Sequence, residues 1–225
     1  MTVSPTVEAR ARRSRGTSDQ AILNMVVRAL DARGIKGGCM VDVGCGQGDL
    51  FSVAGSRFAR YIGIDAARYD HFPEQAEFRQ IDLDSGAIPL PDGTADVVTA
   101  VEVIEHLENP REFMRKLVAL TKPGGWVIAT TPNQLSFLSL LTLIFKHQHQ
   151  AFQDVHYPAH LTALLEIDLR RIASECGLSS VEVEYSESGR IPLTGKHYPP
   201  FVSRAFPRRF SENVLMIGCK NGNRQ

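Results

Sequence analysis

Residues 41–48 read Val-Asp-Val-Gly-Cys-Gly-Gln-Gly, an apolar run that breaks into three glycines at alternate positions. Glycine lets a backbone take left-handed conformations and approach a ligand closely, because no Cβ stands in the way. A strand emptying into such a loop, and then into a helix, opens an α/β sheet that receives ligands at its carboxyl edge. The third glycine falls one position earlier than in the dinucleotide fingerprint, and Asp42 stands ahead of the first, which disfavours a nicotinamide cofactor.

The rest of the chain repeats that opening. Short apolar segments at 40–43, 61–64, 76–80, 95–100 and 126–130 alternate with helical spacings, the rhythm of a parallel sheet with crossover connections. Segments at 181–185 and 214–219 finish the sheet, separated by a long proline-containing loop. Ahead of the first strand, Thr17-Ser18-Asp19-Gln20 has the pattern of a capping box; Ile22, Met25, Val26, Ala29 and Leu30 follow at helical spacing, and Gly34 supplies the stop. After the fourth strand, Asn109 can cap a helix whose first position is Pro110, with Glu112 completing a box. Lys122-Pro123-Gly124-Gly125 turns into the fifth strand, and a helix over 166–176 ends at Gly177.

The chain's 225 residues suit one α/β domain with room for an insertion. Residues 1–16 are expected as a flexible basic arm and 17–225 as a single domain. Its cofactor-binding core lies at 37–133, a lid or acceptor insertion at 134–163, and a C-terminal helix and strands at 164–225. Lys+Arg and Asp+Glu both total 25, so the molecule lacks the overall positive field that gathers long nucleic acids, and a nucleic-acid partner is disfavoured. Four cysteines without a Cys-x-x-Cys pair, and arginines near the N-terminus with no apolar run behind them, fit the reducing cytoplasm. The longest apolar stretch, 135–145, is too short to span a bilayer, although it could touch a membrane surface.

Two further acids stand at strand ends. Asp65 closes Gly63-Ile64-Asp65, where a Rossmann-like fold places an acid to receive ribose hydroxyls, and Asp82 closes Gln80-Ile81-Asp82-Leu83 at the same edge. With Ile88-Pro89-Leu90-Pro91-Asp92-Gly93, Ala95-Asp96-Val97-Val98, Val103-Ile104-Glu105-His106-Leu107 and the Lys-Pro-Gly-Gly turn, the stretch from Val41 to Asn133 resembles the class I S-adenosylmethionine-dependent methyltransferases. That resemblance implies a mostly parallel seven-stranded sheet with helices on both faces, a helical insertion over the active site, and S-adenosyl-L-methionine as cofactor. It gives the methionine portion to Gly44 and Gly46, the ribose to Asp65, and the adenine to Asp82 and Leu83. By the same resemblance, Asp42, Cys45, Gly48, Ala66, Val101 and Glu102 adjoin the cofactor.

Glu102-Val103-Ile104-Glu105-His106 resembles two groups within that class. One is the small-molecule O-methyltransferases, including those of ubiquinone biosynthesis, which work without a metal. The other is the small-RNA 2′-O-methyltransferases, which use the same spacing and a later histidine to bind a divalent cation. The expectation is the first: a small-molecule acceptor such as a sugar, phenol or quinone precursor, and no metal. A noncatalytic cofactor-binding regulator is the alternative outside the enzymes. The tail resembles glycan methyltransferases more weakly, through His160 ahead of Leu161-Thr162. His106 and His160 are the two candidates for a general base, since imidazole titrates near neutrality; the alternative for each is a helix cap or pocket wall.

Overall fold

The computed structural model describes residues 5–13, 15–84 and 87–222. Strands β1 (Cys39–Val43), β2 (Arg60–Asp65), β3 (Glu77–Gln80), β4 (Ala95–Ala100), β5 (Thr121–Pro132), β6 (Leu178–Tyr185) and β7 (Asn213–Lys220) form one sheet in the order β3-β2-β1-β4-β5-β7-β6. β1 to β5 are parallel, while β7 runs antiparallel between β5 and β6. The order reverses at β1, with Val41 flanked by Ile62 of β2 and Val98 of β4. Loops leaving β1 and β4 in opposite directions open a crevice at their carboxyl ends.

The central strands β1, β2 and β4 are buried on both faces, as a parallel sheet requires. Val41 and Val43 join Ile62, Ile64, Val98 and Ala100 in one core, packed on Phe113, Met114 and Leu117 of α4 (Pro110–Leu120) and on Leu169 and Ile172 of α6 (Glu166–Glu175). Met40, Tyr61 and Val97 point the other way, onto α2 (Gln20–Ala32) and α3 (Asp49–Ala54) through Met25, Val26, Leu30 and Leu50. Each such large side chain withdrawn from water contributes about 1.5–3 kcal/mol before conformational entropy is charged against it. Asn109 Oδ1 accepts the Glu112 N–H at 3.0 Å, and Pro110 begins α4 as its spacing requires. The Glu112 carboxylate, however, turns to Arg115 instead of back to the cap.

Several expectations are corrected. Pro5–Arg13, read as part of a free arm, is helix α1; the Tyr69 hydroxyl donates to Ala11 O (2.9 Å) and Arg12 donates to Arg68 O (3.2 Å), so tertiary partners hold it. Residues 1–4 and 14 of that arm lie outside the described residues. Asp19 precedes α2 without any side-chain capping bond, and the Ser18 N–H donates to Asp49 Oδ2 instead (2.9 Å). The 122–125 turn sits inside β5 as an irregularity between the Ala95–Thr121 and Val97–Trp126 pairs, with Gly124 left-handed at φ 79°. The insertion contributes α5 (Phe137–Lys146) and two short 3-10 turns, Gln150–Phe152 and Asp154–His156. The connection before β7 is not irregular throughout: Pro200 and Pro207 begin helices α7 (Pro200–Ala205) and α8 (Pro207–Phe210). Among the described residues no helix is long and apolar enough to cross a membrane.

Candidate active site

A cavity of about 730 Å³ lies over the carboxyl ends of β1, β2 and β4, between the glycine loop and the insertion. Its floor is set by the turn after β1. Gly44 and Cys45 both donate to Ile64 O (2.6 and 3.1 Å), which pulls the loop over the end of β2. Gly44 sits at φ +78°, and a Cβ there would stand 2.2 Å from Val103 Cγ2. Gly46 sits at φ +51°, where a Cβ would stand 2.2 Å from Gly16 O. The loop is therefore sandwiched between the 16–19 segment and the β4 loop, and only glycine fits either position.

Asp65 is 8% exposed and oriented by backbone: Oδ2 accepts Gly46 N (2.9 Å) and Oδ1 accepts Ala67 N (3.1 Å). Burial raises its pKa, and those N–H groups oppose the rise. Asp42 differs. Its Oδ2 receives the Tyr61 hydroxyl at 2.5 Å and its Oδ1 the Thr99 hydroxyl at 2.7 Å, so each oxygen already bonds to the sheet beneath the loop. Burial drives its pKa up to about 6 against the pull of those two donors. Asp82 and Leu83 line the cavity, and Asp82 Oδ1 accepts Asp84 N at 3.1 Å. Cys45, Ala66 and Val101 line it too, whereas Gly48 does not; Gly48 lies against Pro73 and sets the left-handed start of α3.

The β4 loop carries a strained backbone position and two enclosed carboxyls, Glu102 and Glu105. Glu102 takes φ +54°, a left-handed conformation that costs a non-glycine residue about 1–2 kcal/mol. Two neighbours hold it there: the Thr130 hydroxyl accepts Glu102 N (2.9 Å) and donates to Oε1 (2.8 Å), and Asn213 donates to Oε2 (2.8 Å). Burial raises its pKa to about 7. Glu105 is 0% exposed and lines the cavity, yet neither carboxylate oxygen has a hydrogen-bond partner. Burial and the nearby Glu102 hold its pKa well above the usual carboxylate range; Thr131 opposes this weakly, without reaching hydrogen-bond geometry.

Both candidate histidines face this cavity, with ring centroids 4.7 Å apart. His106 Nδ1 lies 2.7 Å from Ala159 O, and His160 Nδ1 lies 2.6 Å from Ala151 O. A carbonyl oxygen only accepts, so each Nδ1 carries a proton. His160 is the more enclosed, and desolvation together with His106 lowers its pKa to about 4, so its ring is neutral at pH 7. The insertion is fastened over the site by Leu161 and Thr162, whose N–H groups donate to Glu105 O (2.8 and 3.0 Å). One ligating atom from each of Glu105, His106 and His160 lies within 4.8 Å of the others.

Sequence reasoning missed Thr17–Asp19, Asp49, Asp84, Asn213 and the Arg190–Glu212 pair (2.6 Å), all in the cavity wall. Asp84 alone had a signal, its place beside Asp82; Asn213 and Glu212 arrive from the far end of the chain. His149 is half-buried with Nδ1 3.1 Å from the Ser139 hydroxyl.

A sequence profile described as "Methyltransferase domain" matches residues 16–183. The chain is 34% identical over 119 residues to a ubiquinone biosynthesis O-methyltransferase of Chromobacterium violaceum, a match covering 49% of this chain and 51% of that protein. It is 27% identical over 192 residues to a Burkholderia pseudomallei protein of the same name, covering 81% and 78%. The chain thus spans about half the length of the curated relatives it matches at the higher identity. It shares its fold with a SAM-dependent methyltransferase from Archaeoglobus fulgidus, at TM-score 0.63 and 18% identity over 88% of this chain and 94% of that one.

Proposed function

Because the chain belongs to the methyltransferase-domain family, we propose that it transfers a methyl group from S-adenosyl-L-methionine to an oxygen of a small molecule. The observation that carries this reading is a cavity bounded on one side by the glycine loop and Asp65, and on the other by the His106 and His160 imidazoles under the insertion.

The residues present suit the cofactor. The wall carries Asp49, Asp65, Asp82 and Asp84, while its cation Arg190 is bonded to Glu212. Such a wall favours a ligand bearing a sulfonium and an ammonium. Gly44 and Gly46 open the space a Cβ would close, and Asp65 presents a fixed carboxylate for ribose hydroxyls. The cofactor supplies a methyl group already electrophilic on sulfur. What remains for the protein is chiefly positioning, for which about 7–11 kcal/mol is available in well-aligned reactions. His106 and His160 bound the acceptor side, where one of their Nε2 atoms would take the hydroxyl proton as the oxygen pair moved to the methyl carbon and the sulfur–carbon pair passed to sulfur.

Two features support a small acceptor. Val155 and Tyr157 line the cavity while 82% and 73% exposed, an apolar lip fitted to an aromatic or alkyl body. Among the described basic C-terminal residues, Arg204 pairs with Glu187, Arg208 with Glu166, and Arg209 donates to Leu135 O, which reduces the free positive charge an RNA would meet. The relatives named for ubiquinone biosynthesis support oxygen as the target atom. A labelled-methyl screen against pooled phenols, sugars and short RNAs tests the reading. Label is expected in the phenol or sugar pool; label in RNA alone would overturn the small-molecule assignment.

A further inference from the structure

We propose that the surface around the cavity mouth docks on a bilayer that carries anionic lipid headgroups. This goes beyond the function proposed above and stands without it. Three segments supply the surface. Helix α5 reads Phe-Leu-Ser-Leu-Leu-Thr-Leu-Ile-Phe-Lys, yet Ser139 is its one buried residue. An apolar helix in a soluble fold turns that character onto a core; here Ile144 and Phe145 are 66% and 78% exposed, beside an exposed Lys146. The 190–210 connection exposes Leu193, Phe201 and Phe206, and its Lys and Arg residues are accompanied by no Asp or Glu. Between them stands the exposed lip of Val155 and Tyr157, which also lines the cavity. Isolated exposed apolar residues are ordinary, whereas a cluster of them around one opening marks an interaction surface.

These segments adjoin one another. The Phe137 ring at the start of α5 lies 6.2 Å from that of Phe210, which lies 6.4 Å from that of Phe206, and Arg209 donates to Leu135 O at 3.1 Å. At the other end of α5, Lys146 donates to Gln153 Oε1 (2.9 Å), beside the turn that carries Val155. Charge selects the occupant. Residues 134–165 and 190–210 together hold six Lys and Arg against one acid, Asp154. Arg190, Arg204 and Arg208 pair with glutamates of flanking segments, while Lys146, Lys196 and Arg209 meet no carboxylate among the described residues. A second copy seated about a two-fold axis would set these cations against their own images. An anionic headgroup layer accepts them and takes the apolar side chains into its acyl boundary. Ten residues of α5 cannot span a bilayer, so the contact is peripheral. Docked in this way, the cavity mouth, rimmed by Val155 and Tyr157, faces the lipid.

The test is co-sedimentation of the tag-free full chain with sucrose-loaded vesicles, one set of phosphatidylcholine alone and one of phosphatidylcholine and phosphatidylglycerol in equal parts. Binding of S-adenosyl-L-homocysteine is measured in parallel by calorimetry. Saturable binding to the mixed vesicles is expected, at least about tenfold tighter than to phosphatidylcholine. Ile144→Ser with Phe145→Ser should weaken it at least about tenfold, and Lys146→Glu with Lys196→Glu by a similar factor, with homocysteine-product binding retained. No sedimentation with the mixed vesicles overturns the proposal, as does equal binding to both compositions or unchanged binding by both folded double variants. A chain that ignores vesicles but dimerises through these residues, or retains short RNA, overturns it as well. Should the serine variant not fold, Phe145→Trp decides: its added emission should be quenched by brominated lipid in the mixed vesicles. The parent's Trp126, over Arg33 and paired with Val97 in the amino half of β4, should not be quenched. Unquenched emission from position 145 refutes the docking face. Vesicle binding without product binding would sink the function proposed above and leave the docking surface standing.

Discussion

Replacing Asp65 with alanine removes the carboxylate that two backbone N–H groups fix at the end of β2. The charge-assisted bonds we propose it makes to two ribose hydroxyls would be worth about 1.5–3 kcal/mol each, hence about 3–6 kcal/mol together. At about 1.4 kcal/mol per factor of ten, affinity for S-adenosyl-L-homocysteine should fall by roughly 10²–10⁴. The loss of acceptors for Gly46 N (2.9 Å) and Ala67 N (3.1 Å) adds to this, because the glycine loop then loses its tie to β2. Asp65→Asn keeps one carbonyl oxygen without the charge, and its loss should be intermediate. Calorimetry on parent and both variants, with thermal melts to confirm folding, is the assay. A folded Asp65→Ala protein that binds within about threefold of the parent would refute the site geometry.

Asp42 governs a pH effect of defined sign. Its pKa rises from 3.8 unfolded to about 6 folded, so its contribution to stability is complete below pH 3.8 and is lost as pH rises through 6. The loss is on the order of 3 kcal/mol, and denaturant unfolding of Asp42→Asn between pH 4 and 7.5 should show a flatter decline than the parent; parallel curves would be wrong for this account. Gly44→Ala places a Cβ 2.2 Å from Val103 Cγ2 at φ +78°, so the melting temperature should drop. Adding Val103→Ala should recover only part of that drop, since the backbone strain of about 1–2 kcal/mol persists. Asn109→Ala removes the α4 cap bond and should cost about 1 kcal/mol in chemical denaturation with turnover unchanged.

What was legible in the sequence was local or periodic. The strand ends carrying Gly44, Asp65 and Asp82, and the Asn109-Pro110 start of α4, follow from residues adjacent in the chain, and the structure puts them where their spacing implies. What was illegible depends on distant partners. Helix α1 is held by Tyr69 and Arg68, more than fifty residues away. Pro200 and Pro207 read as breakers because a proline's position relative to a helix start shows only once the helix is known. The E-x-x-E-H spacing identified Glu105 and His106, but not that Glu105 would be sealed without a hydrogen-bond partner, nor that the insertion would return His160 to within ring contact of His106. That closure is a tertiary event with no periodicity to announce it.

The central claim is that one cavity brings a methyl donor to an oxygen nucleophile. Its most direct measurement is product stoichiometry with methyl-labelled S-adenosyl-L-methionine and the acceptor that the pooled screen selects, followed by mass spectrometry and nuclear magnetic resonance. The account predicts S-adenosyl-L-homocysteine and an oxygen-bound labelled methyl appearing one for one. Product that carries the methyl on nitrogen or carbon, or cofactor bound tightly without any turnover against every pool, would contradict it.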